Sequence, residues 1–166
     1  MAEPTDIREE IPIRSFAISA YLARIEGGRG RYLVLKRVST YLKGTWQQIS
    51  GRIEQGEAGW QAALREIREE TGLVPSRFYS ANETEVFYEP RQNCINVVPV
   101  FVGFVEADAR VVLSAEHDEF RWVTAEEARE VLPFEVQAVA IQKIEATFVR
   151  ASPPEFLRIP TISSDA

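Results

Sequence analysis

GRIEQGEAGWQAALREIREETGL, residues 51–73, is the most informative segment of this 166-residue chain. Apolar residues in its second half recur at the spacing of one face of an α-helix. This periodicity predicts a helix from about residue 58 to residue 71. Gly72 follows directly and is the residue type that commonly ends a helix in the left-handed conformation. The residues of the apolar stripe are Trp60, Ala63, Leu64 and Ile67.

Three glutamates, Glu66, Glu69 and Glu70, lie on another arc of the same predicted helix. Their spacing directs the three carboxylates towards one region, and like charges so placed cost about 0.2–0.5 kcal/mol per pair. Arg65 and Arg68 are expected to leave the helix at other angles and to neutralise the cluster only in part. A divalent cation such as Mg²⁺ or Mn²⁺ would compensate for the repulsion. A solvated acidic helix face is the alternative interpretation.

The order of residues across the segment resembles the signature of the Nudix hydrolases at every specified position. Gly51 is followed after five residues by Glu57, and after seven more by residues 65–73, which read REIREETGL. The resemblance implies an α+β protein with the Nudix fold, an α/β/α sandwich with a mixed β-sheet and a catalytic loop–helix–loop. It also implies an enzyme, a Nudix hydrolase that splits phosphoanhydride bonds.

The resemblance further implies roles for individual residues. Glu69 and Glu70 are expected to be the main metal ligands, and Glu66 a ligand or an orienter of the attacking water. Glu57 and Arg65 are expected to form a supporting pair that holds the loop and the helix in register. Mg²⁺ is therefore the expected cofactor, with Mn²⁺ as the other suitable ion.

One more acid is expected outside the signature, among residues 116–119. Glu116 is chosen because the run SAEHDEFRWV, residues 114–123, resembles a stretch of the bacterial dATP and dihydroneopterin triphosphate pyrophosphohydrolases that carries such an acid. The run WQQISG, residues 46–51, resembles the same branch. Glu116 is therefore predicted to be catalytic and a metal ligand, with an exposed loop acid as the alternative. His117 is interpreted as a surface loop histidine rather than a ligand or proton shuttle.

Four residues are candidates for substrate binding: Arg37, Lys36, Trp46 and Gly51. Arg37 and Lys36 end a predicted strand that leads towards the signature, and either could hold a terminal phosphate. Trp46 could stack on a base or a pterin ring, and Gly51 would let the backbone pass close to the site. A solvated strand end and a core aromatic are the alternatives. Three further aromatic residues could stack in the same way: Tyr41, Phe87 and Tyr88.

Composition narrows the functional classes. The length and a hydrophobic content of 45% suffice for one domain. A net charge of −6 argues against binding along a nucleic-acid polymer, but bound cations would still admit a small anionic substrate. The single cysteine, Cys94, excludes an internal disulfide. No signal peptide or membrane span is recognised, so a cytoplasmic protein without a membrane partner is expected.

The predicted organisation is a flexible N-terminal arm over residues 1–12, a single Nudix hydrolase domain over residues 13–150, and a C-terminal tail over residues 151–166. The tail contains Phe156, Leu157, Ile159 and Ile162, which could pack on the body or on a second subunit of a homodimer. Pro99 predicts a bulge or an edge-facing site in its strand. Strands are predicted at 13–25, 32–38, 46–49, 78–88, 93–105 and 120–123. The first two form a hairpin through a turn at residues 26–30, and the fifth is nearly continuously apolar, as in a strand buried on both faces. Further helices are predicted at 124–131, opened by a capping box of Thr124 and Glu127, and at 134–148.

These observations predict a Mg²⁺-dependent pyrophosphohydrolase. It would cleave a nucleoside triphosphate, or a triphosphate of similar shape, to a monophosphate and pyrophosphate. One alternative is a hydrolase of a nucleoside diphosphate-linked compound such as ADP-ribose. Another is a non-catalytic nucleotide-binding Nudix domain, which the three intact glutamates disfavour because a binder gains nothing from their repulsion.

Overall fold

A mixed β-sheet with helices on both faces is formed by residues 10–161, the part of the chain that the computed structural model describes. The predicted α/β/α architecture is confirmed. The predicted N-terminal arm falls largely on residues 1–9, which lie outside the described residues, as does Ile162. The strands are β1 (Ile13–Arg14), β2 (Ala17–Glu26), β3 (Arg29–Arg37), β4 (Trp46–Gln47), β5 (Ile49–Arg52), β6 (Arg77–Glu89), β7 (Cys94–Phe104) and β8 (His117–Val123), and the helices are α1 (Gly59–Thr71), α2 (Ala125–Val131) and α3 (Glu135–Ile144).

Strand β7 lies in the interior of the sheet, next to the edge strand β6, and pairs along both of its own edges. It pairs antiparallel with β6 and parallel with β1 and β2. Residues 100–104 of β7 are all buried, as its nearly continuous apolar sequence predicted for a strand covered on both faces. The register shifts next to Pro99, but the two extra residues lie in β6, between Ser80 and Thr84, and not in the strand of Pro99 where the bulge was predicted.

The single strand predicted for residues 13–25 is wrong in one respect, since the structure divides it into β1 and β2. Both strands pair with β7, first Arg14 with Asn96 and then Ser19 with Val100. The chain has one residue more between Arg14 and Ser19 than β7 has between Asn96 and Val100. This extra residue cannot be accommodated in a regular ladder, so the strand is interrupted.

Strand β3 connects the hairpin to the rest of the sheet. It pairs antiparallel with β2 across the turn at Gly27–Gly28, as predicted, and also with β4 and β8. Strand β8 begins at His117, three residues before the predicted start, because its pairing with β3 extends to Arg37 through an irregularity beside Lys36.

The two faces of the sheet carry separate apolar clusters. Helix α1 packs on one face with Ile18, Leu33 and Phe78, and α2 and α3 pack on the other with Tyr21 and Phe104. Helix α2 begins at the capping box predicted from Thr124 and Glu127. The final helix, predicted to run to residue 148, is α-helical to Ile144 and continues as a π-helical turn, Glu145–Val149.

The described part of the tail packs partly on the body of the protein. Leu157 contacts the cluster beneath α3, and Ile159 contacts the cluster beneath α1. The Ile159 amide donates a hydrogen bond to the carbonyl of Phe78, 2.8 Å away. Phe156 is 88% exposed. Within residues 10–161, no helix is both long and apolar enough to cross a membrane.

Candidate active site

Helix α1 begins and ends close to the predicted positions, and this fixes the direction of its acidic arc. Ala58 is the residue before the first turn, and Gly72 follows the last turn with φ of 69° in the left-handed region. Ala63 and Ile67 are fully buried against the sheet, while Trp60 and Leu64 are partly buried. With the apolar stripe held in this way, the glutamates face the edge of the sheet where β5 and the segment before β8 lie.

Arg65 organises the loop–helix unit. Its guanidinium donates two hydrogen bonds to the Glu57 carboxylate, at 2.8 and 3.1 Å, and one to the carbonyl of Arg52, at 2.9 Å. These contacts join β5, the loop and α1, as expected of a supporting pair. Arg65 also pairs with Glu66 at 2.7 Å and Glu69 at 3.4 Å. Arg65 was expected to leave the helix at another angle and to neutralise the acids only in part. Its guanidinium instead contacts two of the three acids, but it leaves Oε2 of Glu70 without a partner.

Gly51 leaves room for the carboxyl group of Glu66. A Cβ atom built on Gly51 would overlap the Cγ, Cδ and Oε1 atoms of Glu66. The predicted close passage of the backbone is thus an approach to a catalytic candidate. The neighbouring residue, Ser50, lines a cavity on the other side of the strand.

Glu70 is the least compensated acid of the cluster. Only 5% of the surface of Glu70 is exposed, and its Oε2 atom is buried without a hydrogen-bond partner. Burial raises the pKa of Glu70 to about 9, and the charges of Glu66, Glu116 and Glu69 contribute in the same direction. The positive charge of Arg37 acts in the opposite direction and lowers the pKa of Glu70. Glu69, in contrast, is 59% exposed.

Glu116 lies near the acids of α1, although it follows them by about fifty residues. The amide of Ser114 donates to the carbonyl of Glu70 at 3.3 Å, so this segment runs beside the end of α1. The Glu116 carboxylate contributes to the raised pKa of both Glu66 and Glu70. The structure therefore places four carboxylates close enough to affect one another electrostatically: Glu66, Glu69, Glu70 and Glu116.

The interpretation of His117 as a surface loop residue is wrong. His117 is the first residue of β8 and only 4% exposed. Its Nε2 lies 3.1 Å from Nε2 of Gln47, and its Nδ1 is buried without a partner. Burial lowers the pKa of His117. The extended pairing of β8 with β3 places the ring inside the protein.

The four carboxylates are chemically suitable ligands for Mg²⁺, but they are not already arranged around one point. All four candidates offer carboxylate oxygens, which hard divalent cations prefer, and the unpartnered Oε2 of Glu70 is an unsatisfied acceptor. No group of three His, Cys, Asp or Glu residues in the described part of the chain is already arranged as a ligand cluster. Arg65 partly explains why the carboxylates are spread out, because its guanidinium forms ion pairs with Glu66 and Glu69.

A cavity of about 580 Å³ lies towards the face of the sheet opposite α1, and none of the four acids lines it. Arg37 lines the cavity and also acts electrostatically on Glu70, so it lies between the two sites. Its Nε donates to the hydroxyl of Ser39. The cavity has the size of small-ligand pockets, which span about 300–1,000 Å³. Its aromatic lining residues are Phe16, Tyr41, Phe87, Tyr88 and Phe134.

Lys36 and Trp46 are not among the lining residues of this cavity. Lys36 pairs with Glu119 at 3.3 Å, and the guanidinium of Arg121 lies 4.4 Å from the Trp46 ring centre. Trp46 also packs against the cluster beneath α3. The two residues therefore lie in a surface group with β8, apart from Arg37.

A buried polar network beneath the cavity was not predicted. The hydroxyls of Tyr21 and Ser19 both donate to Oε1 of Glu85, at 2.5 and 3.1 Å. Gln48 donates to Ser19, and Gln137 donates to Gln48, both at 2.7 Å. A signal for Glu85 was available, because strand alternation places it on the same face as Tyr79 and Ala81. Gln137 comes from α3 and carried no local signal.

Comparison with known proteins gives a consistent result. Residues 16–144 match the NUDIX domain family. A Myxococcus xanthus protein named octanoyltransferase is 38% identical over 125 residues, covering 75% of this chain but only 34% of that protein. The chain thus spans about a third of that relative's length.

Two other relatives are named as phosphohydrolases. The mouse bis(5'-nucleosyl)-tetraphosphatase [asymmetrical] is 30% identical over 100 residues, or 59% of this chain and 68% of that protein. The nucleoside triphosphatase NudI of Klebsiella pneumoniae is 29% identical over 110 residues, or 61% of this chain and 78% of that protein.

Solved structures show the same fold. The Caenorhabditis elegans Ap4A hydrolase in a binary complex has a TM-score of 0.68 at 23% identity, over 78% of this chain and 94% of that one. The Escherichia coli dihydroneopterin triphosphate pyrophosphohydrolase has a TM-score of 0.67 at 21% identity, over 82% and 99%. At such identities the likeness establishes the fold alone.

Proposed function

The chain belongs to the NUDIX domain family, and on that basis we propose that it is a phosphoanhydride hydrolase. Its substrate is a nucleoside triphosphate or a triphosphate of similar shape. Water attacks phosphorus, the bond between the first and second phosphates breaks, and the products are a nucleoside monophosphate and pyrophosphate. The observation that carries this proposal is the buried, unpartnered carboxyl group of Glu70, which Arg37 connects to a cavity of about 580 Å³.

Mg²⁺ is the proposed cofactor, with Mn²⁺ as the substitute. Glu66, Glu69, Glu70 and Glu116 would hold it. A bound divalent cation neutralises the phosphate charge and lowers the pKa of a water molecule. A cation would also offset the burial of the Glu70 carboxylate, which costs free energy while that carboxylate is unpaired.

The chain's own residues supply positioning and charge. Arg65 and Glu57 hold α1 against β5, which fixes the backbone from which the acids project. Arg37 lies between the cavity and Glu70, where a guanidinium can bind a terminal phosphate in bidentate fashion. The free cysteine, Cys94, is buried and is compatible with the cytoplasm, which we propose as the compartment.

The proposal is tested by incubating the purified protein with Mg²⁺ and a panel of nucleotides while pyrophosphate and monophosphate release are measured. Pyrophosphate release from triphosphates is the expected result. Glu70→Gln should lower kcat by at least about 100-fold, because the ligand charge is lost while the shape is kept. Glu130→Gln, an exposed change on α2, is the matched control and should retain wild-type turnover. Full activity of the Glu70 variant would contradict the metal assignment.

A dinucleoside polyphosphate is the second candidate substrate. It is favoured by the mouse relative's name and by the exposed aromatic residues Tyr41, Phe87, Tyr88 and Phe134 at the cavity, which could stack on a second base. The products distinguish the candidates, since asymmetric cleavage of a dinucleoside tetraphosphate gives a triphosphate and a monophosphate without pyrophosphate. ADP-ribose, added to the same panel, would give two monophosphates. No turnover of any compound would favour a nucleotide-binding domain.

A further inference from the structure

The cavity has a polar floor at one end of an apolar space. Glu85, Asn96 and Val98 lie on adjacent strands β6 and β7, with Glu85 paired to Val98 and Phe87 paired to Asn96. Paired residues of an antiparallel ladder share a face, so these side chains all face the same side of the sheet. All of them line the cavity.

Two oxygen atoms of this floor lack partners. Oε1 of Glu85 accepts from Tyr21 and Ser19, but its Oε2 accepts no hydrogen bond from the described residues. Oε1 of Gln137 is buried and also has no partner, although the same side chain donates to Gln48. A buried acceptor without a donor is costly, and an oxygen facing a cavity is free to pair with a ligand.

The position of these oxygens is fixed from below. Tyr21, Ser19 and Gln48 hold Glu85 and Gln137 through hydrogen bonds between buried atoms. A ligand therefore meets acceptors that are already oriented, and it does not have to order them. Burial raises the pKa of Glu85, so N–H donors from a ligand would stabilise its ionised form.

The walls of the cavity suit a flat ring. Aromatic residues line its mouth, and several keep a large exposed surface on the protein alone. Aromatic side chains stack on the faces of planar heterocycles, so the polar atoms at the edge of the bound ring stay available for hydrogen bonds. The edge of such a ring would then meet the polar floor. The aromatic residues that are both exposed and at the cavity are Tyr41, Phe87, Tyr88 and Phe134.

We propose that Glu85 and Gln137 are specificity-determining residues that accept hydrogen bonds from adjacent N–H groups on the edge of a bound heterocycle. The ring class is one with an amino group beside a ring N–H and a carbonyl, the 2-amino-4-oxopyrimidine edge that guanine and pterins share. Asn96, whose amide group has donors, lies on the same face and can serve the carbonyl. This inference rests on the proposed nucleotide function and names the substrate class for that site.

An adenine-type edge fits this floor less well. It offers an amino group beside a ring nitrogen that is an acceptor, so one floor oxygen would face another acceptor. A site built to receive a donor rejects the analogue without it, because its own polar atom is left unpaired. The expected discrimination is at least about 10-fold in affinity.

Binding of GMP, IMP and AMP to the purified protein in EDTA, measured by titration calorimetry, tests the inference without any turnover. GMP should bind at least about 10-fold more tightly than AMP, and IMP, which lacks the amino group, should lie between them. In Glu85→Gln the preference for GMP over AMP should fall below about 3-fold. Glu83→Gln, a change on the same strand outside the cavity, is the matched control and should keep the wild-type ratio.

Equal affinity of the wild type for GMP and AMP would overturn the inference, even if the variants failed to fold. An unchanged ratio in a folded Glu85→Gln protein would also overturn it. Because the titration contains no metal, selective GMP binding by a protein that hydrolyses nothing would support the inference and contradict the proposed function. Hydrolysis without any base preference would support the proposed function and contradict the inference. Neopterin and guanosine, titrated side by side, distinguish a pterin from a purine as the natural ring.

Discussion

Glu70 combines catalytic potential with a cost to the fold. Its carboxyl group is buried, and in the metal-free protein its pKa of about 9 lies far above the ordinary value of 4.5. Between these values the folded state keeps a proton that the unfolded state has lost. The free energy of unfolding therefore falls as the pH rises from about 4.5 to about 9.

Glu70→Gln should accordingly stabilise the metal-free protein at high pH, although it should lower the proposed activity. In EDTA at pH 9 the variant should have a Tm higher than the wild type by at least about 3 °C, equivalent to roughly 1 kcal/mol. At pH 5 the two Tm values should agree, because the wild-type side chain is then neutral as well. Thermal unfolding followed by circular dichroism at both pH values measures this. An equal difference at both pH values would show that the charge is not its cause.

Gly51→Ala tests the close contact between β5 and the acidic arc. The added Cβ would overlap the Glu66 carboxyl group, and displacement of a positioned group by about 1 Å can cost up to about 100-fold in rate. A fall in kcat of at least about 10-fold with little change in Tm is expected from steady-state kinetics and thermal unfolding. Gly59→Ala is the control, since the nearest atom to its Cβ would be 3.7 Å away. Equal kcat values for the two variants would count against a role of this contact.

At this scale the sequence predicted which acids share an arc of α1, but not how deeply each is buried. Spacing along one helix is a local property. The burial of Glu70 depends on a distant segment, in which the amides of Val112 and Ser114 donate to the carbonyls of Thr71 and Glu70. No local pattern in the sequence records that contact.

Helix α1 works as one element with the loop that precedes it, because Arg65 connects both to β5. Arg65→Lys keeps the positive charge but cannot make the paired hydrogen bonds to Glu57 while also reaching the carbonyl of Arg52. We expect kcat/KM to fall by about 10- to 100-fold, the loss typical of residues that support metal ligands, if the proposed metal site is correct. Steady-state kinetics at several Mg²⁺ concentrations measure this. Arg68→Lys, an exposed change one turn along the same helix, should have no effect, and equal losses in both variants would exclude a special role for Arg65.

Elements with a strong local pattern were predicted well. The stripe and terminal glycine of α1, the capping box of α2 and the hairpin of β2 and β3 all depend on neighbouring residues. The early start of β8 and the break between β1 and β2 depend on pairing with distant strands. The local signals that were read in the sequence carry no information about which strand will be the partner, and this explains why His117 was misplaced.

Across the whole molecule, the sheet separates the acidic cluster from the cavity. Helix α1 and its acids lie on one face, and the cavity with Glu85 lies towards the face covered by α3. Residues near the strand ends join the two sites, since Gly51 contacts Glu66, its neighbour Ser50 lines the cavity, and Arg37 acts on both. Under the proposed function, recognition of the ring and cleavage of its phosphates would therefore respond to different mutations.

The C-terminal tail provides a test of how the outer segments contribute to stability. Ile159→Ala should lower the free energy of unfolding by about 1–2 kcal/mol, less than a fully buried site would lose, because Ile159 is only partly buried beside α1. Phe156→Ser, at an exposed position in the same segment, should leave the stability of a monomer unchanged. Chemical denaturation measures both, and light scattering follows the association state. Loss of a dimer in Phe156→Ser would assign that ring to the predicted homodimer interface, whereas wild-type stability of Ile159→Ala would show that the tail does not contribute to the core.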